Sequence, residues 1–270
     1  MCIVAIAWQV MDEMPLCLLS NRDEFYARPT SRLHDWPKSP IIAGQDLQSG
    51  GTWMGITPHG RWAVITNYRD GHDQQQYAAS RGEIIADYLQ STQSPQQFAQ
   101  SLQQRQHLYA GFNVVFGTRQ QALYMSNRGE APQPLPQGVY VLSNGLMSEY
   151  WAKTQHLRQR FVQEFLPLAV LPSVTEQQLQ QVVWDLLEDS RQRLPQQLPN
   201  TGIARELEQL LSSTFIQSEG YGTRCSNWLR FYRDRAVWLE KIQQGEQLGE
   251  VQRIALSFAP HVCNTLQPNA

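Results

Sequence analysis

The stretch CIVAIAWQVMDEMPLCLLSNRDE, residues 2–24, decides the fold of this chain. The apolar run Cys2–Val10 predicts a buried strand, MDEMP predicts a turn, and LCLLS at residues 16–20 predicts the returning strand. The polar residues Asn21–Glu24 follow at once. Because four such groups cannot enter a core without partners, they form either a solvated turn or one wall of a site.

Blocks of strands and helices alternate along the rest of the chain. A second hairpin is predicted from Gly51 to Asn67, turning at Pro58–Gly60, after a long loop over residues 27–50. This block order favours an α+β fold of antiparallel layers over a parallel βαβ sheet. Helices are predicted over residues 77–90, 94–106, 148–165 and 175–189, and further strands over 111–117, 121–127, 138–144, 225–231, 236–242 and 251–258.

The composition is that of an ordinary globular protein. Of 270 residues, 41% are hydrophobic and the formal net charge is −2, so neither nucleic acid nor an anionic membrane is expected as a partner. No basic segment precedes the apolar start and no apolar run reaches about 18 residues, so we expect no signal peptide and no integral membrane segment. The four cysteines, Cys2, Cys17, Cys225 and Cys263, form no CxxC motif, which argues against a disulfide framework, a zinc site or covalent haem. We therefore expect a cytoplasmic protein with reduced thiols.

Cys2 is the first candidate for chemistry. If Val10 closes the first hairpin against Leu16, paired residue numbers sum to about 26, and Cys2 lies opposite Glu24 and near Arg22–Asp23. Removal of Met1 would give Cys2 a free α-amine, whose reference pKa of about 7.7–8.0 lies close to the thiol's 8.5, so the amine can act as the base. The alternative stays open: Cys2 is a small apolar residue that starts a strand beside a charged strand end.

Three more polar residues lie at strand ends. Asn67 and Asn144 end predicted strands, where an asparagine amide either holds a developing oxyanion or simply terminates the strand. Arg224 begins a late strand, where it is either part of a site or a surface arginine. The stretch GGTW, Gly50–Trp53, has the flexibility to let a ligand approach the backbone.

The motifs MCI, SNRDE, GGTWMGI, ITN, VLSN and YGTR occur in this order between Met1 and Arg224. In this the chain resembles the NRDE family, the transport and Golgi organisation protein 2-like proteins. The resemblance implies an N-terminal nucleophile (Ntn) hydrolase fold, a four-layer αββα sandwich of two antiparallel sheets flanked by helices, in one domain over residues 1–270.

Within that fold the chain is most similar to the cysteine branch that contains penicillin V acylase and bile-salt hydrolase. The similarity implies the catalytic set Cys2, Arg22, Asp23, Asn67, Asn144 and Arg224. The arginine and aspartate are not adjacent in the same way in that branch. Because neighbouring residues of a strand point to opposite faces, we expect only one of Arg22 and Asp23 to reach the thiol.

Two functions follow from the resemblance. The first is intracellular haem trafficking, with haem as a carried small-molecule ligand and transient haem donor or acceptor proteins as partners. The alternative is hydrolysis of linear amides or acyl thioesters, including acyl-coenzyme A or lipid-derived substrates, which requires no cofactor. A retained Met1 would block the α-amine of Cys2, so haem transfer is the preferred expectation. No metal ligands are predicted, and a haem pocket would draw on Arg22, Arg224 and the tryptophans Trp8, Trp36, Trp53 and Trp62.

Overall fold

The computed structural model describes residues 2–258. Thirteen strands occur in this part of the chain. In chain order they are β1 (Cys2–Trp8), β2 (Leu16–Phe25), β3 (Thr30–Asp35), β4 (Ile42–Asp46), β5 (Met54–Ile56), β6 (Trp62–Asn67), β7 (Phe112–Gly117), β8 (Ala122–Ser126), β9 (Gln133–Pro134), β10 (Gly138–Leu142), β11 (Tyr221–Phe231), β12 (Arg235–Ile242) and β13 (Val251–Ser257).

The helices lie between the second and third blocks of strands and just after the sixth strand. They are α1 (Arg81–Gln90), α2 (Pro95–Arg105), α3 (Ala152–Arg160), α4 (Leu166–Ala169), α5 (Glu176–Leu187) and α6 (Arg205–Leu210), with a π-helical turn at Phe161–Phe165 that joins α3 to α4 and 3₁₀ turns at Gln106–Leu108 and Pro195–Gln197.

The strands form two sheets, and all of their pairings are antiparallel. The first sheet has the order β10-β1-β2-β11-β12-β13, and the second runs from β3 to β9 in chain order. They pack face to face: Trp8 of β1 lies 5.8 Å from Trp62 of β6 between ring centroids, and both side chains are buried.

Helices cover the outer face of each sheet. Ile84 and Tyr88 of α1 and Phe98 of α2 pack on the second sheet. Leu157, the π-turn phenylalanines and the apolar face of α5 cover Ile3, Ala5 and Ala7 on the outer face of the first sheet. This arrangement confirms the predicted α+β architecture of two antiparallel sheets between helical layers.

The register of the first hairpin differs from the prediction. Cys2 pairs with Arg22, not with Glu24, so that paired numbers sum to 24. The first strand ends at Trp8 because Gln9 adopts a positive φ of 56°, and Met11 and Met14 turn into the core under the helices. The loop is therefore two residues longer than the apolar run suggests. Since the shift is even, every side chain keeps its predicted face.

The predicted long loop over residues 27–50 is wrong, because it contains β3 and β4. Both strands are short, and the register shifts between Ser31 and His34, so the alternation of polar and apolar residues is too brief to be recognised. The first helix begins at Arg81 rather than near 77, with Ser80 as its N-cap. The helix starts at Ser94 and Thr175 are confirmed, each as the cap of a capping box.

Candidate functional site

A cavity of about 130 Å³ opens at the end of the sandwich where β1 begins and β6 ends. Its walls come from six places: the start of β1, the end of β2 and its following loop, the end of β4, the entry to β5, the end of β6, and the first turn of α1. The lining residues are Cys2, Arg22, Asp23, Glu24, Arg28, Asp46, Thr52, Trp53, Ile65, Asn67, Ser80, Arg81 and Gly82.

Cys2 lies at the floor of this cavity, with 8% of its surface exposed. It shares the inner face of the first sheet with Val4 and Ile6, so its thiol points between the sheets. Burial raises the pKa of the Cys2 thiol, and the charge of Asp23 raises it further. The Arg22 guanidinium and the backbone N–H of Asp23 act in the opposite direction and stabilise the thiolate.

Arg22 is the direct cross-strand partner of Cys2 and lies on the same face. Its guanidinium stacks on the ring of Trp53, 4.2 Å from the centroid, and donates to the hydroxyl of Thr30 at 3.3 Å. Its nearest carboxylates, Asp46 at 3.8 Å and Glu24 at 3.9 Å, are both looser contacts. The side chain is 4% exposed, so Arg22 supplies a fixed, largely desolvated positive charge beside the thiol.

Asp23 follows Arg22 and is buried, 1% exposed. Its Oδ1 accepts a hydrogen bond of 2.7 Å from the hydroxyl of Thr223 on β11. Burial raises the pKa of the Asp23 carboxyl, while the charges of Lys153 and Arg22 and the Thr223 hydrogen bond lower it. Asp23 thus reaches Cys2 through its backbone N–H, and its side chain lies beside the start of β1.

The two asparagines have different places. Asn67 is half-buried at the end of β6 and lines the cavity. Asn144 is fully buried, does not line it, and donates from Nδ2 to the carbonyl of Asn67 at 2.9 Å. The carbonyl of Asn144 in turn accepts the backbone N–H of Arg69 at 2.7 Å. Asn144 therefore positions the strand end that carries Asn67.

Arg224 does not line the cavity of Cys2. It is the extra residue of a β-bulge, because β11 pairs Thr223 with Asp23 and then Cys225 with Arg22. Its Nη1 donates to the carbonyls of Phe25, Tyr26 and Arg28 and so holds the loop after β2. The sequence places Arg224 in a strand, but only the pairing with β2 shows that a bulge turns it towards this loop.

The two glycines at Gly50–Gly51 differ: Gly50 has a positive φ of 76° with open space around it, and Gly51 serves packing. A Cβ on Gly51 would lie 2.4 Å from the carbonyl carbon of Gly82, so the entry to β5 and the first turn of α1 touch through their backbones. Trp53 is the one tryptophan of the four considered that lines the cavity. Trp8 and Trp62 are core residues, and Trp36 donates to the carbonyl of Ala43.

Three charged residues near Cys2 were not predicted from the sequence as site residues. Arg81 lines the cavity from the first turn of α1 and donates to the carbonyl of Gly111 at 3.1 Å. Lys153 on α3 and Arg69 after β6 are buried, and the charge of each interacts with that of Asp23. All three lie far along the chain from Cys2, and no spacing in the sequence connects them with it.

No group of three or more His, Cys, Asp or Glu side chains suited to a metal ion occurs within residues 2–258, and no histidine lines the cavity there. Over the same residues, no helix combines the length and the apolar character needed to cross a bilayer. His261 and Cys263 lie outside the described residues.

Two solved structures with similar folds are hydrolases by title. One is a Caenorhabditis elegans N-acylethanolamine-hydrolyzing acid amidase ortholog, with a TM-score of 0.43, 14% identity, and coverage of 67% of this chain and 85% of that chain. The other is the C2A mutant of conjugated bile acid hydrolase from Clostridium perfringens, with a TM-score of 0.46, 7% identity, and coverage of 96% and 97%.

Proteins found by sequence comparison share a higher identity with this chain than these two structures do. The Homo sapiens transport and Golgi organization protein 2 homolog is 31% identical over 223 residues, 77% of this chain and 79% of that protein. The Mus musculus homolog is 34% identical over 196 residues, 67% of each. The family model described as Transport and Golgi organisation 2 matches residues 1–242. The chain therefore belongs to the transport and Golgi organisation 2 family, as its motifs predicted.

Proposed function

We propose that this protein is a hydrolase that cleaves linear amides or acyl thioesters with Cys2 as an N-terminal nucleophile. One observation carries the proposal: a cysteine at position 2 lies in a cavity with an arginine directly opposite it and a buried aspartate beside the same strand end. A nucleophilic thiol needs a nearby cation, and a terminal amine that acts as base needs a carboxylate to orient it.

The chemistry requires that Met1 be removed. The free α-amine of Cys2 then accepts the thiol proton, and the sulfur attacks the carbonyl carbon of the substrate. The resulting oxyanion lies at the cavity wall, where the side-chain amide of Asn67 would donate to it. Collapse expels the amine or thiol leaving group with that proton. A water molecule, deprotonated by the same α-amine, then hydrolyses the acyl-enzyme thioester.

The remaining polar residues act through these groups. Asp23 orients the α-amine, Arg22 favours the thiolate, and Asn144 holds the strand end of Asn67. Arg224 acts at a greater distance, because it fixes the loop after β2 that carries Arg28 into the cavity wall.

The size and polarity of the cavity favour hydrolysis over storage of a large apolar ligand. About 130 Å³ is well below the roughly 300–1,000 Å³ that enclose a drug-sized molecule. Only Trp53 and Ile65 give it large apolar surface. Such a cavity suits a reacting carbonyl and its polar neighbours, and this reverses the preference that the sequence suggested.

Haem transfer is the second candidate function, and one observation favours it. Three arginines, Arg22, Arg28 and Arg81, line the same cavity beside Trp53. Arginine pairs well with carboxylates such as haem propionates, and tryptophan offers a flat apolar face. In a cavity of this size haem would insert its propionate edge and leave most of the macrocycle outside.

The first test is the state of the N-terminus. The intact mass of the untagged protein from its native host shows whether Met1 is present, and 2-cyanobenzothiazole, which condenses with a free 1,2-aminothiol, reports whether Cys2 is reactive. We expect loss of Met1 and labelling at Cys2. Retention of Met1 would end the hydrolase proposal.

The second test is turnover of an amide and thioester panel. Cys2→Ala should abolish hydrolysis with an unchanged melting temperature, whereas Cys17→Ala, a buried cysteine on the outer face of the same sheet, should retain it. Equal turnover by Cys2→Ala and the parent would contradict the mechanism. Haem titration separates the second candidate: a saturable Soret shift that weakens in Arg81→Gln would support it, and linear partitioning would not.

A further inference from the structure

A second cavity of about 150 Å³ lies against the first. Arg22 and Trp53 line both cavities, so their stacked side chains form the wall between them. The floor of the second cavity is formed by Cys225 and Glu240, which are both buried. Cys225 pairs with Arg22 on the side opposite Cys2, so the three residues lie in one row across three strands.

The second cavity is lined by three arginines, Arg22, Arg32 and Arg224, against one carboxylate, Glu240. Burial raises the pKa of Glu240, and its Oε1 is occupied by the backbone N–H of Leu33 at 2.9 Å. The positive charges therefore outnumber the negative charges on the cavity surface.

The acids that pair with these arginines lie elsewhere. Glu24 and Asp46, the carboxylates nearest Arg22, line the first cavity. Glu250, the partner of Arg32, is 54% exposed and does not line either cavity. Water screens such an exposed pair strongly. The second cavity thus keeps an excess of positive charge on its own side of Arg22.

Arg32 also has a hydrogen-bond donor that no protein group within the described residues uses. Nε of Arg32 is buried and has no hydrogen-bond partner among residues 2–258. Burial lowers the pKa of Arg224, and the nearby charge of Arg22 lowers it further. Like charges held together in a partly buried cavity are stabilised by an anion that accepts hydrogen bonds from both.

We propose that the second cavity is a binding site for an anionic group: a carboxylate, sulfonate or phosphate. A ligand anchored there by Arg32 and Arg224 would extend past the Arg22–Trp53 pair that the two cavities share and present its carbonyl to Cys2. This names the substrate class as amides or thioesters that carry a negative charge, and in this part the inference rests on the proposed function.

Cys225 lines the second cavity, so the rate at which its thiol is labelled reports on access of charged reagents to that cavity. This readout does not depend on the reactivity of Cys2. The native full-length protein is treated with two methanethiosulfonates of similar size, one ending in a sulfonate and the other in a trimethylammonium group. Peptide mapping by mass spectrometry gives the labelling rate at Cys225, and division by the rate for a free model thiol removes intrinsic reactivity. We expect the anionic reagent to react several-fold faster after this correction.

Three variants locate the effect. Arg32→Gln should bring the ratio of the two rates close to one, Arg32→Lys should keep it high, and Arg235→Gln, an exposed arginine that lines neither cavity, should leave it unchanged. Propionate, methanesulfonate and inorganic phosphate at equal ionic strength identify the preferred anion as the one that slows labelling most.

A corrected ratio at or below one in the parent would overturn the proposal, and so would a high ratio that survives Arg32→Gln. Failure of both reagents to label Cys225 in the native protein would also overturn it, since the cavity would then be closed to small ligands. None of these readouts involves Cys2, so loss of the proposed hydrolase function would leave them unaffected.

Discussion

Lys153 is the residue whose surroundings are least expected. It is 4% exposed, and its ammonium donates to the carbonyl of Leu211 at 3.0 Å. Burial lowers its pKa from 10.5 to about 7, the charge of Arg69 acts in the same direction, and the charges of Asp23, Cys2 and Glu208 oppose them. A lysine with a pKa of about 7 therefore lies behind the candidate nucleophile.

This predicts a pH dependence of stability. Between pH 7 and about 10.4 the unfolded chain binds a proton at Lys153 that the folded chain does not, so the free energy of unfolding gains up to about 1.4 kcal/mol per pH unit from this group as the pH rises. Below pH 7 the buried charge destabilises the fold by a constant amount. The variant Lys153→Met should lack this contribution. Its free energy of unfolding should therefore exceed that of the parent by the largest amount near pH 6, and this difference should shrink towards pH 10.

Urea unfolding at intervals from pH 6 to pH 10 measures this difference. Lys38→Met is the matched control, because Lys38 is exposed. Curves for the parent and Lys153→Met that run parallel over this range would show that Lys153 keeps its charge in the folded state.

At the scale of elements, the cavity depends on the contact between the entry to β5 and the first turn of α1. Gly51 and Gly82 meet backbone to backbone, and the N–H of Thr52 donates to the carbonyl of Gly82 at 3.2 Å. Ser80, Arg81 and Gly82 can line the cavity only because this approach is so close.

Gly51→Ala should therefore destabilise the protein by roughly 1–3 kcal/mol, since its Cβ would overlap the backbone of Gly82 and no flexible side chain can move aside. The rate at which 2-cyanobenzothiazole labels Cys2 should also change, because the first turn of α1 lines the same cavity as Cys2. Gly220→Ala is the control, because a Cβ there meets no atom within 4 Å. Chemical denaturation measures both, and equal stability of the two variants would contradict the close packing.

At the scale of the whole molecule, a buried ion pair ties distant parts of the chain together. Arg69, just after β6, donates from Nη1 to Oε2 of Glu208 on α6 at 2.5 Å, and both side chains are buried. Oε1 of Glu208 accepts the hydroxyl and the backbone N–H of Thr201. The pair therefore anchors the segment around α6 to the end of the sandwich that holds the cavity.

Arg69→Met should cost about 3–5 kcal/mol in stability, because it leaves the Glu208 carboxylate buried without its counter-ion. Arg69→Met combined with Glu208→Gln should recover much of this loss, since the neutral amide can still accept from Thr201. Thermal unfolding of the single and double variants gives the coupling free energy. Additive losses would show that the two side chains do not act as a pair.

The sequence alone predicted the layered α+β fold, the first two hairpins, the two capped helices and the family. It also predicted that Cys2 and the Asn21–Glu24 stretch share a strand end. These features are local: apolar alternation, turn residues and capping boxes act within a few positions, so short stretches are enough to specify them.

The tertiary structure decided the rest. It pairs Cys2 with Arg22, turns Arg224 out through a bulge, and brings Lys153 and Arg69 behind Asp23 from positions far along the chain. Strand register, bulges and buried charges depend on contacts between segments that are distant in sequence, and no local pattern encodes which of them will meet. The first 24 residues therefore supply Cys2 and its polar neighbours on the adjacent strand. The packing of distant segments brings the remaining residues of the candidate site to them.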